Sequence, residues 1–135
     1  MSAMVDSCVL LDIFTEDPQW LDWSSGALAD SADRGDIILN PVIYAEVSIR
    51  FDRIEELQAA LPSDVFKYEP IPREAAFLAG KCFLKYRRRG GVKTSPLPDF
   101  FIGAHALITG LPLITRDAKR FKDYFPTLNL ITPTT

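Results

Sequence analysis

The sequence predicts an α/β protein whose central, mainly parallel sheet of four to five strands is covered by helices on both faces. Three observations carry this. Short apolar runs of strand length alternate with longer segments that begin on helix-start residues and end on glycine or proline. Strands alternating with helices close into parallel βαβ units. The 135 residues, 47% of them hydrophobic, contain no repeat, low-complexity segment or linker, so residues 1–135 read as one domain with a single core.

In chain order, AMV (3–5) is a short strand and SCVLLDIF (7–14) a helix. Asp17 and Pro18 supply a cap and first position for a helix that Gly35 stops. DIIL (36–39) is the second strand, and Asn40-Pro41 repeats the start signal before PVIYAEVSIRF. Asp52 can cap a short helix that ends before Pro62. VFKYEP (65–70) is strand three, and Pro72 opens a long helix running to Gly90-Gly91. VKTSPLP is a loop. Pro98 starts the helix DFFIGAHALITG, ended by Gly110, with Gly103, Ala104 and Ala106 small enough for close packing. PLIT (112–115) is strand four; a short helix near AKRF and a last strand near LNLI (128–131) complete the order.

Composition excludes several classes. The longest apolar run, near 100–115, falls short of the roughly 20 residues of a spanning helix, and it contains His105 and Pro112. The N-terminus lacks a basic region, and Asp6 and Asp12 interrupt its apolar part. No signal peptide is expected there, and the cytoplasm is the expected compartment. Cys8 and Cys82 show no metal or disulfide spacing. The single histidine, His105, rules out two-histidine acid–base catalysis and reads as a structural residue hydrogen-bonded inside an apolar helix. The net charge of −3 hides an asymmetry. Residues 1–66 carry 3 Lys/Arg against 13 Asp/Glu, whereas residues 67–135 carry 12 against 5. The basic half holds KYRRRGGVK (85–93) and RDAKRFK (116–122), either solvated surface or an attraction for a phosphate backbone.

In open parallel sheets, ligands bind beyond the carboxyl ends of the strands, where strand order reverses. Asp6 directly follows strand one, and Asp117 stands just past strand four. Asp99 opens the helix before strand four, and Glu46 lies about two turns into the helix after strand two. Singly, each has an ordinary explanation. Asp6 and Asp117 can cap helices, Asp99 suits a helix dipole, and Glu46 can pair with Arg50. Together at one edge they repel, and a divalent cation resolves the conflict. All-oxygen ligands select Mg²⁺ or Mn²⁺, which polarises a phosphodiester and activates water.

The acidic order in MVDSCVLLDIF, PVIYAEVSI and LPDFFIGAHALITGLPLITRD closely resembles the PIN-domain nucleases, and among them the VapC-type toxins of bacterial toxin–antitoxin pairs. The resemblance spans nearly the whole chain, with 97–121 its most specific part. It implies a PIN-like α/β/α sandwich and a Mg²⁺-dependent endoribonuclease with Asp6, Glu46, Asp99 and Asp117 as the acidic, metal-binding site. Asp6 and Asp99 come first as direct ligands, Thr115 supports the acids through its hydroxyl, and Ser7 does so near Asp6. Cys8 stands where many relatives carry Asn. The resemblance also implies a homodimer, an RNA substrate and a VapB-like antitoxin that covers the site. Trp20, Trp23 and Ala27, at helical spacing, read as core, dimer surface or antitoxin groove, and the resemblance favours the last two together. Arg87–Arg89 guide RNA, and Asp12 is surface or polar support.

The alternatives are a stand-alone PIN nuclease, a non-catalytic PIN-fold binding module, a phosphoacceptor receiver domain and a DxDxT phosphatase. The receiver needs a Lys after strand five, and LNLITPTT has none. DSCVL (6–10) contradicts the phosphatase motif.

Overall fold

The computed structural model describes residues 1–93 and 97–133, so the centre of the VKTSPLP loop lies outside the described residues. Five strands, β1 (Ala3–Val5), β2 (Ile37–Leu39), β3 (Phe66–Tyr68), β4 (Leu113–Ile114) and β5 (Leu130–Ile131), form one sheet in the order β3-β2-β1-β4-β5. All four pairings are parallel. Among the described residues seven helices flank it: α1 (Ser7–Phe14), α2 (Leu21–Arg34), α3 (Pro41–Ser48), α4 (Ile54–Ala60), α5 (Arg73–Arg88), α6 (Pro98–Thr109) and α7 (Ala118–Tyr124). The architecture is the expected α/β/α sandwich.

The chain winds outward from β1 to β3, then returns to the other side of β1 to lay down β4 and β5. The switch point is therefore between β1 and β4, where Met4 pairs with Leu113 and Val5 with Ile114. The central strands β1, β2 and β4 are buried throughout, whereas the edge strands β3 and β5 are only partly covered. This is why the central strands are almost purely aliphatic and β3 tolerates Lys67.

Local chemistry sets the helix ends. Asn40 accepts the Ile43 N–H at 2.9 Å and Pro41 takes the first position of α3. α6 begins on Pro98 and ends on Gly110, whose φ of 71° lies in the left-handed region that glycine adopts without strain. Two starts differ from expectation. Asp17 caps, but it caps a turn: its carboxylate accepts the Gln19 and Trp20 N–H groups, and α2 begins only at Leu21. α4 begins at Ile54, and Asp52 does not cap it. Glu56 reaches back to accept the Arg53 N–H at 3.1 Å. No helix among the described residues is long and apolar enough to cross a membrane.

The core closes around Met4, Phe100, Leu113, Ile114, Phe121 and Phe125, each 2% exposed or less. α6 runs through it, packed against α5, α3 and α7. His105 on α6 is buried and shares a hydrogen bond of 3.2 Å with the Asn40 side chain. It is thus the structural residue expected, tying the start of α3 to the middle of α6. The Phe125 ring lies where a Cβ on Gly103 would stand. Gly103→Ala is therefore expected to lower stability by about 1–2 kcal/mol, overpacking outweighing the better helix propensity of alanine. A lower urea midpoint at unchanged slope would report this.

Candidate active site

Beyond the carboxyl ends of β1 and β4 the chain gathers carboxylates. Asp6, 4% exposed, follows β1 and continues its ladder through an N–H bond to the Ile114 carbonyl. Although it stands at the start of α1, its side chain caps nothing. Its Oδ2 instead accepts the Thr115 hydroxyl at 2.9 Å and the Cys8 thiol at 3.4 Å. Thr115, fully buried after β4, also accepts the Asp117 N–H at 3.0 Å. One hydroxyl thereby joins the two strand ends.

Glu46 projects from α3 and accepts the Ser7 hydroxyl at 2.8 Å, which binds α3 to the start of α1. No Glu46–Arg50 pair occurs among the described residues. Asp99, in the first turn of α6, is held by Arg120 Nη1 of α7 at 3.0 Å. Asp117 is exposed at the start of α7 and caps nothing with its side chain.

The electrostatics link these groups. Burial pushes the Asp6 carboxyl up to about 6, and the charges of Asp99 and Glu46 add to it, against the pull of Thr115 and Cys8. Glu46 is raised by burial and by Asp99. Asp99 is raised by burial and by Asp117, although Arg120 opposes the shift. Burial and Asp6 drive the Cys8 thiol up to about 12, so it stays protonated and serves as a donor to Asp6. As placed, no three His, Cys, Asp or Glu side chains among the described residues are close enough to hold one ion. The donor set itself is carboxylate and hydroxyl oxygen, which suits a hard divalent cation that keeps much of its water.

Asp12 is not surface. It is 2% exposed on the inner face of α1 and takes a bidentate bond from Arg116, at 2.7 and 2.9 Å, and the Ser24 hydroxyl at 2.8 Å. The Arg116 guanidinium also lies 5.4 Å from the Trp20 ring centroid. The half-buried Trp20 is thus engaged within the chain, while Trp23 and Ala27 are partly buried against the core. Arg116 sits between Thr115 and Asp117, so its grip on α1 fixes the backbone that presents both. Sequence reasoning missed Arg116 and Arg120 as partners of acids. The available signal was Asp12 itself, a lone acid in the apolar VLLDIF, since a buried charge demands a counter-charge.

A crevice of coupled carboxylates at the switch point of a doubly wound parallel sheet defines a class: α/β domains that act on ligands beyond their strand ends. Within that class the chain belongs to the PIN domain family, whose pattern matches residues 3–124. PIN domains are generally nucleases. No curated protein matches the sequence. Among solved structures, the chain is similar to one in VapBC2 from Rickettsia felis bound to a DNA fragment from its promoter, at 19% identity and a TM-score of 0.73, over 99% of this chain and 100% of that one. It is similar to a chain of a toxin–antitoxin complex from Klebsiella pneumoniae, at 22% identity and 0.69 over 98% of each. A chain of FitAcB from Neisseria gonorrhoeae matches at 17% identity and 0.69, again over 98% of each. At these identities the likeness is one of fold.

Two outcomes follow. Asp6 binds its proton more tightly folded than unfolded, so its share of stability is complete below about pH 4 and is lost as pH rises through about 6. In chelator, Asp6→Asn is expected to remove about 2–3 kcal/mol of that decline, read from urea unfolding on either side of the window. Arg116→Ala strands Asp12 without its counter-charge. The expected loss is about 2–4 kcal/mol, discounted for the 30% exposure of the arginine. Arg116→Lys, lacking the bidentate fork, should recover only part of it in thermal melts.

Proposed function

We propose that this chain is a metal-dependent endoribonuclease, using Mg²⁺ or in its place Mn²⁺, and that it is the toxin of a toxin–antitoxin pair. The observation that carries the reading is the coupling of Asp6, Glu46, Asp99 and Asp117 at the switch point, with Asp6 raised to about 6. Such an arrangement costs stability by itself and recovers it when a cation binds.

Asp6 and Asp99 are the first ligands, with Glu46 and Asp117 completing the acidic set. When bound, the cation supplies charge for the phosphodiester oxygens and a water of lowered pKa. Thr115 orients Asp6 and anchors the Asp117 backbone by the same hydroxyl. Ser7 holds Glu46 at a fixed angle, and Cys8 keeps the remaining approach to Asp6 Oδ2 neutral. No histidine is needed. The names of the similar structures, VapBC and a toxin–antitoxin complex, support a VapB-like antitoxin as partner. A homodimer belongs to the same proposal, and the α2 groove lined by Trp23 and Ala27 is the surface assigned to these contacts.

Purified parent protein is expected to cut single-stranded RNA with Mg²⁺, to stop in chelator and to resume on readdition. Asp6→Asn and Asp99→Asn, checked for an intact fold by circular dichroism, should each lose roughly 100-fold or more. Undiminished cleavage by these variants would show that the site is elsewhere. Growth arrest on expression, relieved by co-expression of a small antitoxin-like protein from an adjacent gene, tests the toxin assignment.

A further inference from the structure

A pocket of about 330 Å³ opens between the end of α5, the start of α6 and α7, bounded by Tyr86, Phe100, Asp117, Lys119, Arg120 and Tyr124. Its size is at the lower end of small-ligand sites. It shares a wall with the acidic site at two places. Asp117 lines it, and Arg120 reaches from it to Asp99 at 3.0 Å. Phe100, itself buried, backs the two partly exposed tyrosine rings of this wall, its centroid 6.0 Å from that of Tyr86 and 4.9 Å from that of Tyr124. Arg89, the last of the three arginines, lies with its guanidinium 5.0 Å from the Tyr124 ring centroid.

We propose that this pocket is a subsite for single-stranded RNA, taking the nucleotide next to the phosphate at the acids. The base stacks on the Arg89–Tyr124 pair, and Arg120 and Lys119 hold its phosphate. The inference rests on the ribonuclease reading above and names how that site grips its substrate. Asp117 and Asp123 line the pocket beside the two cations, so net charge alone does not select an anion. Aromatic and guanidinium faces beside cations are what an unstacked nucleotide requires, and a base stacks on either surface. The Arg120–Asp99 pair is partly exposed, with side chains 47% and 21% accessible. Pairs of that kind hold weakly, which leaves the guanidinium free to exchange Asp99 for a phosphate oxygen.

The test is anisotropy of a short fluorescein-labelled single-stranded RNA with the full chain in EDTA, where cleavage does not intervene. Arg120→Ala and Lys119→Ala should each weaken binding several-fold and reduce the slope of log affinity against log salt by about 0.7. Arg89→Ala and Tyr124→Leu should weaken it about tenfold. Because Tyr124 packs on Phe100, Tyr124→Leu counts only if its melting curve shows a folded protein. Arg89 is exposed, and Arg89→Ala carries the stacking test by itself. Lys67→Ala, on the far edge strand β3, should change nothing. Parental affinity in both Arg89→Ala and Arg120→Ala would overturn the subsite, as would an equal loss in Lys67→Ala or loss of antitoxin capture with RNA binding intact. If Asp6→Asn abolishes cleavage while those arginine variants bind normally, the subsite fails and the ribonuclease stands. If the arginine variants lose RNA while Asp6→Asn still cuts, the acidic site fails and the subsite's place beside it is overturned, leaving only an RNA contact at these arginines.

Discussion

Asp6 is buried at the end of the central strand, and what holds its carboxylate is a hydroxyl and a thiol rather than a cationic side chain. Much of the surrounding structure is arranged around that constraint. β4 must lie beside β1 for Thr115 to reach it, and β4 reaches that place only because the chain doubles back after β3. The hydrogen bonds that steady Asp6 lower its proton affinity, but burial and the neighbouring carboxylates outweigh them. The protein thus holds a partly frustrated charge at a fixed point, with rigid aliphatic strands behind it.

The first helix shows two ways of burying an acid. Asp12 and Asp6 are both almost fully covered, yet Asp12 meets a bidentate guanidinium and a serine hydroxyl, whereas Asp6 faces further carboxylates. The first arrangement satisfies its charge internally and contributes to holding the fold. The second leaves a demand that the protein does not meet, and unmet charge in a crevice is a mark of function. Arg116 connects them: it neutralises Asp12 from a position between Thr115 and Asp117. The polar support beneath α1 therefore also sets the geometry above it.

Much of this was legible in the sequence. Asn40-Pro41, Pro98 and Gly110 mark real helix ends because capping is local chemistry, satisfied within a few residues. Placing acids just after apolar strands located Asp6 and Asp117 because a parallel sheet aligns its carboxyl ends on one edge. What sequence did not disclose was pairing at a distance. Asp12 and Arg116 are 104 positions apart, and Asp99 and Arg120 are 21 apart, with many other charges available to each. The starts of α2 and α4 shifted for a related reason. Asp17 and Glu56 chose among several nearby N–H groups, and composition does not rank those choices.

The long span of these contacts also bears on how the protein is made. The Thr115–Asp6 bond joins residues 109 positions apart, and Asp117 and β5 are synthesised long after Asp6. A nascent chain that has emerged only through α5 carries Asp6 and Glu46 but neither Asp99 nor Asp117. The winding order that places β4 beside β1 therefore works as a timer. A nascent chain shorter than 117 residues lacks part of the acid set, whichever of its helices have already formed.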